Sequence, residues 1–236
     1  MTGVLLTRPV GTDTRLTELL GAEGIDCVEC PLLKIEPLPV STGLITDLDQ
    51  FDALIFISVN AVKYGLTALE QYWPQWPTAL NWFAVGQATA GALAEWNLKA
   101  DYPEVAGSEG LLALAPLLEI SGKRVLVIRG RGGRELIKET LESRGALVEY
   151  LEVYERTPVD VDQQIDVTAV SVVVCTSVEG LEQLIKGLDR REVVKLSLIV
   201  PSRRVAQVAE QFGFARVKQA AGASDEAMLN AILDVL

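Results

Sequence analysis

Residues 125–158, VLVIRGRGGRELIKETLESRGALVEYLEVYERTP, repeat an earlier stretch of the same chain. A constant shift of 125 − 4 = 121 places them on residues 4–37, VLLTRPVGTDTRLTELLGAEGIDCVECPLLKIEP, without a gap. The shift aligns identical residues at Val4/Val125, Leu5/Leu126, Arg8/Arg129, Gly11/Gly132, Glu18/Glu139, Leu20/Leu141, Gly24/Gly145 and Pro37/Pro158. Internal similarity of this kind indicates a duplicated structural unit.

The rest of the chain repeats more weakly. DALIFISVNAV at residues 52–62 matches SVVVCTSVEGL at 171–181, and FAVGQATAGALAE at 83–95 matches LIVPSRRVAQVAE at 198–210. Gly107-Ser108-Glu109 corresponds to Ala223-Ser224-Asp225. The chain therefore reads as four segments in the order A-B-A′-B′.

Short β-rich runs alternate with helical patterns in both halves, which predicts parallel sheets with right-handed crossovers. We expect an α/β fold with two flavodoxin- or Rossmann-like parallel-sheet domains of about five strands each. Gly24 and Gly145 are predicted to end helices at the position after the cap. The predicted helices include residues 13–23, 88–96, 134–144 and 203–212. The predicted strands are residues 4–7, 26–30, 53–57, 82–85, 99–102, 124–128, 147–151, 170–175, 196–200 and 216–219.

Two Pro-containing extended segments, residues 35–42 and 151–160, occupy equivalent places in the repeat. We interpret them as paired connectors between the domains. Two crossings would make one domain discontinuous, A with B′, and the other continuous, B with A′. Sequence symmetry alone leaves the pairing of A with B and A′ with B′ open.

Composition and charge exclude several classes of protein. At 236 residues the chain forms one large or two small domains, and 49% hydrophobic with 22% charged residues is ordinary for a globular enzyme. The net charge of 21 − 32 = −11 argues against a nucleic-acid partner. The longest apolar stretches, such as residues 111–118 and 169–175, fall short of the roughly 20 residues that span a membrane. The start, MTGVLLTRP, resembles no signal peptide, so we expect a cytoplasmic protein with no membrane partner.

The chain contains no histidine. This excludes Ser-His and Cys-His catalytic pairs, His-ligated zinc and haem with an axial histidine. Three cysteines, an odd count, suit a reducing compartment. Cys27 and Cys30 form a CxxC motif without a second pair, and we interpret them as small buried hydrophobic residues. No metal site is predicted.

Candidate ligand-binding residues follow the predicted strands, because open α/β sheets bind ligands beyond the carboxyl ends of their strands. Those ends carry hydroxyls and helix-start N–H groups that suit anions, at Thr7-Arg8-Pro9, Ser58-Val59-Asn60, Gly86-Gln87-Ala88-Thr89, Arg129-Gly130, Thr176-Ser177, Pro201-Ser202-Arg203, Ser108-Glu109 and Ser224-Asp225. Any single hydroxyl could simply cap its own helix. Together the eight ends predict a cleft for a ligand with many carboxylates or phosphates, bound by Arg8, Ser58, Asn60, Gln87, Thr89, Ser108, Arg129, Ser177 and Ser202.

The glycine-rich loop at residues 129–134, RGRGGR, departs from the dinucleotide fingerprint, since Glu135 stands where GxGxxG needs its third glycine. No Walker motif is present either, so neither NAD nor ATP is expected. The loop is either an anion contact or a solvated loop. Tyr154, in the second connector, is either a packing residue or a phenol that donates a proton or hydrogen bond.

Motifs in order along nearly the whole chain resemble those of bacterial uroporphyrinogen-III synthases: LLTRP, PLLKIEPLP, ALIFISVNAV, FAVGQATAGAL, SEGLLAL, GKRVLVIRGRGGRELIKETLESRGALVEYLEVYERTP, VVCTSVEGL and IVPSRRVA. The resemblance implies two α/β domains joined by a two-stranded β connector, with the first domain discontinuous. The implied boundaries are residues 1–34 plus 160–236 for domain 1, 43–150 for domain 2, and 35–42 and 151–159 for the connectors.

The resemblance also implies an activity. It is that of a cofactor-free, monomeric lyase of haem biosynthesis. Its substrate is hydroxymethylbilane, a linear tetrapyrrole with eight carboxylates, which it dehydrates and cyclises to uroporphyrinogen III with inversion of ring D. Tyr154 matches the functional tyrosine of the family. Ser202 matches a helix-start hydroxyl that the family also implicates, with serine where relatives often carry threonine. The alternatives from the residues alone are a non-enzymatic two-domain sensor of tetrapyrroles or small anions, and a nucleotide-sugar transferase, for which about 110 residues per domain is short.

Overall fold

Strands and helices alternate along the chain in a computed structural model that describes residues 3–10, 12, 14–159 and 167–236. The strands are β1 (Gly3–Leu6), β2 (Cys27–Glu29), β3 (Leu33–Pro37), β4 (Ala53–Phe56), β5 (Asn81–Ala84), β6 (Arg124–Gly130), β7 (Leu147–Pro158), β8 (Val170–Val174), β9 (Ser197–Val200) and β10 (Arg216–Gln219). The helices are α1 (Thr14–Ala22), α2 (Thr42–Thr46), α3 (Val59–Leu69), α4 (Gln87–Ala94), α5 (Ser108–Leu112), α6 (Ala115–Leu118), α7 (Leu136–Ser143), α8 (Val178–Lys186), α9 (Arg190–Val193), α10 (Arg203–Gln211) and α11 (Asp225–Leu233), with a 3₁₀ turn at Leu48–Gln50.

The chain divides into two compact units. Unit 1 consists of Met1–Ile35 and Thr157–Leu236, and unit 2 of Glu36–Arg156. The chain passes from one unit to the other within β3 and again within β7, and these two strands are neighbours in one sheet. The α/β class and the two parallel sheets predicted from the sequence are confirmed. The predicted helix start at Asp13 and connector end at Asp160 lie outside the described residues.

Unit 1 contains a sheet in the order β2-β1-β8-β9-β10, and its strand pairs are parallel. Counted along the chain within the unit, this is the 2-1-3-4-5 order of flavodoxin-like sheets. Both faces of the sheet are buried. Leu5, Val173 and Leu198 pack on the face that α8 and α10 cover. Val4, Val172 and Ile199 alternate with them and pack against α1 and α11 on the other face.

Unit 2 contains a sheet in the order β3-β7-β6-β4-β5. The 121-residue shift places β6 on β1 and the start of β7 on β2, so the order β7-β6-β4-β5 repeats β2-β1-β8-β9. One face packs against Leu111, Ile137 and Leu141 of the helices. On the other face α3 lies so close that a methyl group on its Gly65 would be 2.6 Å from Cγ2 of Ile128.

The predicted strand at residues 99–102 is wrong. In the described structure this segment contributes an isolated parallel bridge between Phe83 and Asp101, at the edge where β10 stands in unit 1. Asp101 donates its N–H to Trp82 O at 2.9 Å and accepts that of Ala84 at 3.0 Å. Pro103 then ends the pairing, because proline has no N–H to give to a ladder. The sheet of unit 2 has β3 as its fifth strand instead.

The predicted helix ends are confirmed. Gly24 and Gly145 have φ angles of +72° and +89°, in the left-handed region that favours glycine. Each helix closes with the same pair of bonds. In α1, Ile25 donates to Leu20 O at 2.9 Å and Gly24 to Gly21 O at 3.1 Å. In α7, Ala146 donates to Leu141 O at 3.0 Å and Gly145 to Glu142 O at 2.9 Å. These are Schellman caps at equivalent positions of the repeat.

Candidate active site

The topological switch point of the unit 2 sheet lies between the parallel strands β6 and β4, because the chain adds β5 beside β4 and β7 on the opposite side, beside β6. Ligands of open α/β sheets bind at such a point, beyond the carboxyl ends of the strands. Ser58 stands just after β4 as the N-cap of α3 and accepts the N–H of Ala61 at 3.0 Å. Gly130 is the last residue of β6.

Tyr154 enters this point from β7, on the far side of β6. The β6–β7 ladder pairs Arg129 with Glu152 and then Gly130 with Tyr154, so the register shifts by one residue between the two pairs. A shift of this kind re-aims the side chains that follow it. Val153 and Tyr154 are accordingly both buried in succession, each 1% exposed, where a regular strand would alternate.

The phenol ring of Tyr154 crosses the end of β6. A methyl group at Gly130 would lie 2.6 Å from Cε2 and Cζ of that ring and 3.0 Å from its oxygen, so only glycine leaves room for the ring there. The ring therefore lies against the backbone of β6 at Gly130, and its oxygen reaches Ser58 just after β4. The two oxygens are 3.0 Å apart, and either can donate.

Two further side chains surround the phenol of Tyr154. The ring of Tyr64, on α3, lies 6.0 Å away between centroids and is tilted by 35°. The exposed Arg156 places Nη2 3.4 Å from the phenol oxygen and its guanidinium carbon 5.7 Å from the ring centroid. Ser58 and Tyr154 were predicted from the sequence, but their contact was not, and neither Tyr64 nor Arg156 was predicted. Gly130 was noted at the end of a strand and in the RGRGG run, but not as a site residue.

The other predicted binding residues of unit 2 lie at the starts of helices. Asn60 is in the first turn of α3 and partly exposed, and Gln87 is the exposed first residue of α4. Ser108 begins α5, directly after Gly107, whose N–H donates to Val85 O at 3.0 Å and ties this turn to the end of β5. Thr89 is buried within α4 and 4% exposed.

In unit 1 the predicted residues have different surroundings. Ser177 caps α8, accepting the N–H of Gly180 at 2.9 Å. Ser202 is the N-cap residue of α10, but its hydroxyl makes no capping hydrogen bond within the described part of the chain. The guanidinium of Arg8 forms an ion pair with Asp225 and also donates to Ala223 O at 3.4 Å.

Arg129 is turned inward, like Arg8, its equivalent in the repeat. It is 3% exposed. Its Nε donates to Gly130 O at 3.2 Å, Nη2 donates to Gly132 O, and Nη1 pairs with Oε1 of Glu135 at 3.1 Å. Its guanidinium carbon lies 4.3 Å from the centroid of the Tyr150 ring.

Glu135 joins Arg129 to Tyr150. Its Oε2 accepts the phenol hydrogen of Tyr150 at 2.8 Å. This hydrogen bond and the charge of Arg129 hold the pKa of the Glu135 carboxyl below its ordinary value. Burial and the bond to Glu135 raise the pKa of Tyr150 far above its ordinary value. The carboxylate is thus ionised and Tyr150 is a neutral donor at physiological pH.

The remaining charges of the loop are paired as well. Arg131 contacts Glu155 at 2.8 Å and Glu152 at 3.7 Å, and Arg134 contacts Glu109 at 2.8 Å. The carboxylates nearest Tyr154 along β7 therefore have a cationic partner.

The two halves of the repeat differ at the phenol. The shift of 121 residues places Leu33 where Tyr154 stands and Pro9 where Gly130 stands. Both Leu33 and the capping hydroxyl of Ser177 lie near Gly180, where an added methyl group would be 3.9 Å and 3.2 Å from them. Unit 1 therefore keeps the hydroxyl at the helix start and has an aliphatic side chain in place of the phenol.

The described residues contain no candidate metal site and no candidate membrane-spanning helix. Within residues 3–10, 12, 14–159 and 167–236, no group of three or more His, Cys, Asp or Glu side chains could hold a metal ion. No helix in the same ranges is long and apolar enough to cross a membrane.

Cys27 and Cys30 pack on opposite faces of the unit 1 sheet. Burial raises the pKa of Cys175 to about 11.

Comparison with known proteins identifies the family. The family model described as uroporphyrinogen-III synthase HemD matches residues 14–230. The chain is 35% identical to the uroporphyrinogen-III synthase of Escherichia coli strain K12 over 97% of this chain and 99% of that protein. It is 33% identical to the same enzyme of Salmonella typhimurium over the same shares of the two chains.

Solved structures show the same fold. The uroporphyrinogen III synthase of Thermus thermophilus is similar with a TM-score of 0.68 and 17% identity, over 99% of this chain and 100% of that one. The enzyme of Helicobacter pylori 26695 is similar with a TM-score of 0.65 and 18% identity, over 100% of both chains. The family match over residues 14–230 and the two close relatives show that this chain belongs to the uroporphyrinogen-III synthase family.

Proposed function

We propose that this chain converts hydroxymethylbilane to uroporphyrinogen III by loss of water and ring closure, with Tyr154 as the proton donor. The observation that carries the proposal is the phenol of Tyr154, which lies across Gly130 and 3.0 Å from Ser58 at the topological switch point of the unit 2 sheet. Family membership supports the same activity, and the comparisons give no support to a non-enzymatic sensor.

The reaction needs a weak acid at the hydroxymethyl group of the substrate. The carbon–oxygen bond breaks, its electron pair stays with the oxygen, and a proton from Tyr154 completes the leaving water. The carbon freed of its hydroxyl then forms the carbon–carbon bond that closes the ring, and the proton that the pyrrole loses in this step restores the phenol of Tyr154. The electron-rich pyrrole supplies the electrons that expel the group, so a strong acid is not required. A phenol suits this task because it is neutral, whereas a carboxylate would repel a substrate that carries eight of them.

Ser58 sets the direction of the phenol hydrogen in this proposal. Its oxygen already accepts the N–H of Ala61, and its own hydrogen is left to donate to the oxygen of Tyr154. The hydrogen of Tyr154 then points away from Ser58 and towards the substrate. Ser58 thus orients the proton donor, and its bond to the N–H of Ala61 at the start of α3 holds it in place.

Access to Tyr154 requires a rearrangement, because the side chain is 1% exposed. A substrate has to displace one of the groups around the phenol oxygen. Arg156 makes the longest of the described hydrogen bonds to it, 3.4 Å against 3.0 Å for Ser58, and it is exposed. We therefore propose that a substrate carboxylate draws Arg156 away from the phenol.

The substrate carboxylates need local donors, since a net charge of −11 repels an anion at long range. We propose that hydroxyl, amide and helix-start N–H groups supply them, at Asn60, Gln87, Thr89, Ser108, Ser177 and Ser202. The same contacts would fold the linear substrate so that closure with inversion of ring D is faster than direct closure. We further propose that the enzyme acts without a cofactor, as a monomer, in the cytoplasm. Its domain 1 would consist of residues 1–34 and 160–236, and its domain 2 of residues 43–150.

The decisive experiment is an isomer assay with freshly prepared hydroxymethylbilane and no added metal or nucleotide. The wild-type protein is expected to produce type III uroporphyrinogen. A protein that binds the substrate but leaves the spontaneous type I product unchanged is a sensor and not this enzyme. Tyr154→Phe in the same assay separates the role of the phenol from that of binding.

A further inference from the structure

Arg129 is a buried cation whose described hydrogen-bond partners all lie within residues 130–135. The three nitrogens of its guanidinium are used on Gly130 O, Gly132 O and Glu135, and its face stacks on Tyr150. A guanidinium whose three nitrogens already donate has few N–H groups left to bind a carboxylate of the substrate. Its position nevertheless lies next to the proposed proton donor, which suggests another role.

The bonds of Arg129 act where the β6–β7 ladder changes register. The shift occurs between the pairs Arg129–Glu152 and Gly130–Tyr154, and Nε of Arg129 holds the carbonyl of Gly130. Arg131, the next residue, donates its N–H to Tyr154 O at 2.7 Å. The path from Arg129 to the Tyr154 ring therefore runs through one residue, Gly130, on whose backbone the ring lies.

Glu135 and the loop backbone complete the set of contacts around Arg129. Gly132 and Gly133 have φ angles of +75° and +95°, in the left-handed region that glycine adopts readily. Arg129 donates to Gly132 O in this turn, and Glu135 anchors the guanidinium while it accepts from Tyr150. A planar fork with several fixed donors is the feature that lysine lacks.

We propose that Arg129 is a positioning residue, which holds the loop at residues 130–135 and thereby keeps the Tyr154 phenol across the end of β6. This inference rests on the proposed function and assigns to Arg129 a different role from the substrate binding expected from the sequence. Its charge acts on the protein backbone, and the substrate does not touch it.

The test compares kcat and KM for Arg129→Met and Arg129→Lys, each made also in a Tyr154→Phe background. Arg129→Met is expected to lower kcat about 10- to 100-fold, because a small misplacement of a catalytic group has effects of that size. KM should stay within about twofold, and Arg129→Lys should recover only part of the rate. In the Tyr154→Phe background the added loss should be at most about twofold, since both changes act on one group.

Arg124→Met is the matched control. Arg124 begins β6, at the opposite end of the strand from Gly130. It pairs with Glu149 at 2.7 Å and stacks 4.5 Å from the Phe51 ring, so it shares with Arg129 an ion pair and an aromatic contact, although it is more exposed. This variant is expected to keep kcat. If Arg129→Met does not fold, Glu135→Gln provides the test instead. The Glu135 side chain is 49% exposed, and the substitution removes the carboxylate charge that anchors the guanidinium. Glu135→Gln should lower kcat and leave KM unchanged.

A large rise in KM with unchanged kcat would show that Arg129 binds the substrate and would overturn the inference. A loss of the same size in the wild-type and Tyr154→Phe backgrounds would do so too, as would full kcat in Glu135→Gln. The proposed function fails separately, and only if the wild-type protein forms no type III product.

Discussion

The Oγ of Ser58 lies 3.0 Å from the phenol oxygen of Tyr154, although the residues are 96 positions apart and β6 lies between their strands. The contact exists because Gly130 has no side chain and because the ladder shifts register beside it. Ser58 after β4, Gly130 at the end of β6 and Tyr154 on β7 thus produce one site. Each of these three residues can be replaced separately.

Tyr154→Phe is expected to fold normally, to bind substrate, and to lose about 10²–10⁴ in kcat, the usual effect of removing a general acid. KM should change little. Tyr72→Phe, at an exposed tyrosine of the same unit, controls for the loss of a phenol and should retain full rate. If Tyr154→Phe kept nearly the full rate while Ser202→Ala abolished it, Tyr154 would be a packing residue.

Ser58→Ala is expected to reduce kcat about 10-fold, less than Tyr154→Phe, because a neutral hydrogen bond contributes about 0.5–1.5 kcal/mol. It should also lower the free energy of unfolding by about 1 kcal/mol through loss of the α3 cap. Ser224→Ala removes a cap of the same kind from α11, where Ala227 donates to the serine at 3.2 Å, and gives the stability effect alone. An unchanged kcat in Ser58→Ala would contradict its orienting role.

Gly130→Ala should displace the Tyr154 ring, since the new methyl group would lie 2.6 Å from two ring carbons. We expect kcat to fall about 10- to 100-fold and the free energy of unfolding to fall by about 1–3 kcal/mol from overpacking. Gly21→Ala, in α1, meets nothing within 4 Å and should stabilise the protein by about 0.5–1 kcal/mol. Thermal unfolding and steady-state kinetics of both variants measure the difference; a fully active Gly130→Ala would mean that the ring tolerates another position.

Periodicity and the internal repeat predicted most of the fold, because strands, helices and helix ends at C′ glycines depend mainly on residues close together in the sequence. Gly24 and Gly145 show this, with equal caps at equal positions of the repeat. Residues 99–102, KADY, were predicted as a strand, although only Tyr102 is of a type that favours strands. They lie at a sheet edge before Pro103, and edge pairing depends on hydrogen-bond donors that a hydrophobicity pattern does not report.

The candidate site was predicted as residues and not as contacts. Ser58 and Tyr154 were both selected, but their approach depends on a register shift that no residue type announces. Arg8 and Arg129 were selected as anion contacts because they follow strands. The structure places both side chains against carboxylates of their own unit, Asp225 and Glu135. A buried guanidinium is stable only with a partner, and in both units a nearby carboxylate provides it.

Asp52→Asn tests the pH dependence of unit 2. The Asp52 carboxylate contacts Lys123 at 2.9 Å and accepts the N–H of Arg124 at 2.9 Å, and these bonds hold its pKa below the ordinary value. A carboxyl with a lowered folded-state pKa stabilises the protein above its ordinary pKa, and this contribution is lost as the pH falls through the lowered value. Urea titrations should show Asp52→Asn less stable than wild type by at most about 1 kcal/mol at pH 7, because the ion pair is partly exposed. The deficit should be smaller at about pH 3. Asp49→Asn, an exposed neighbour, is the control, and an equal deficit at both pH values would contradict the prediction.

Ser202→Ala and Ser177→Ala separate capping from substrate binding in unit 1. Ser177 accepts the N–H of Gly180 at 2.9 Å, so its replacement should lower the free energy of unfolding by about 1 kcal/mol. Ser202 makes no such bond among the described residues, and Ser202→Ala should leave Tm unchanged. If its hydroxyl binds the substrate, as we propose, KM should rise about 2- to 10-fold, the effect of one neutral hydrogen bond among several. Ser202→Thr, which keeps the hydroxyl, should restore KM. A lower Tm with an unchanged KM in Ser202→Ala would instead assign this serine to the structure of α10.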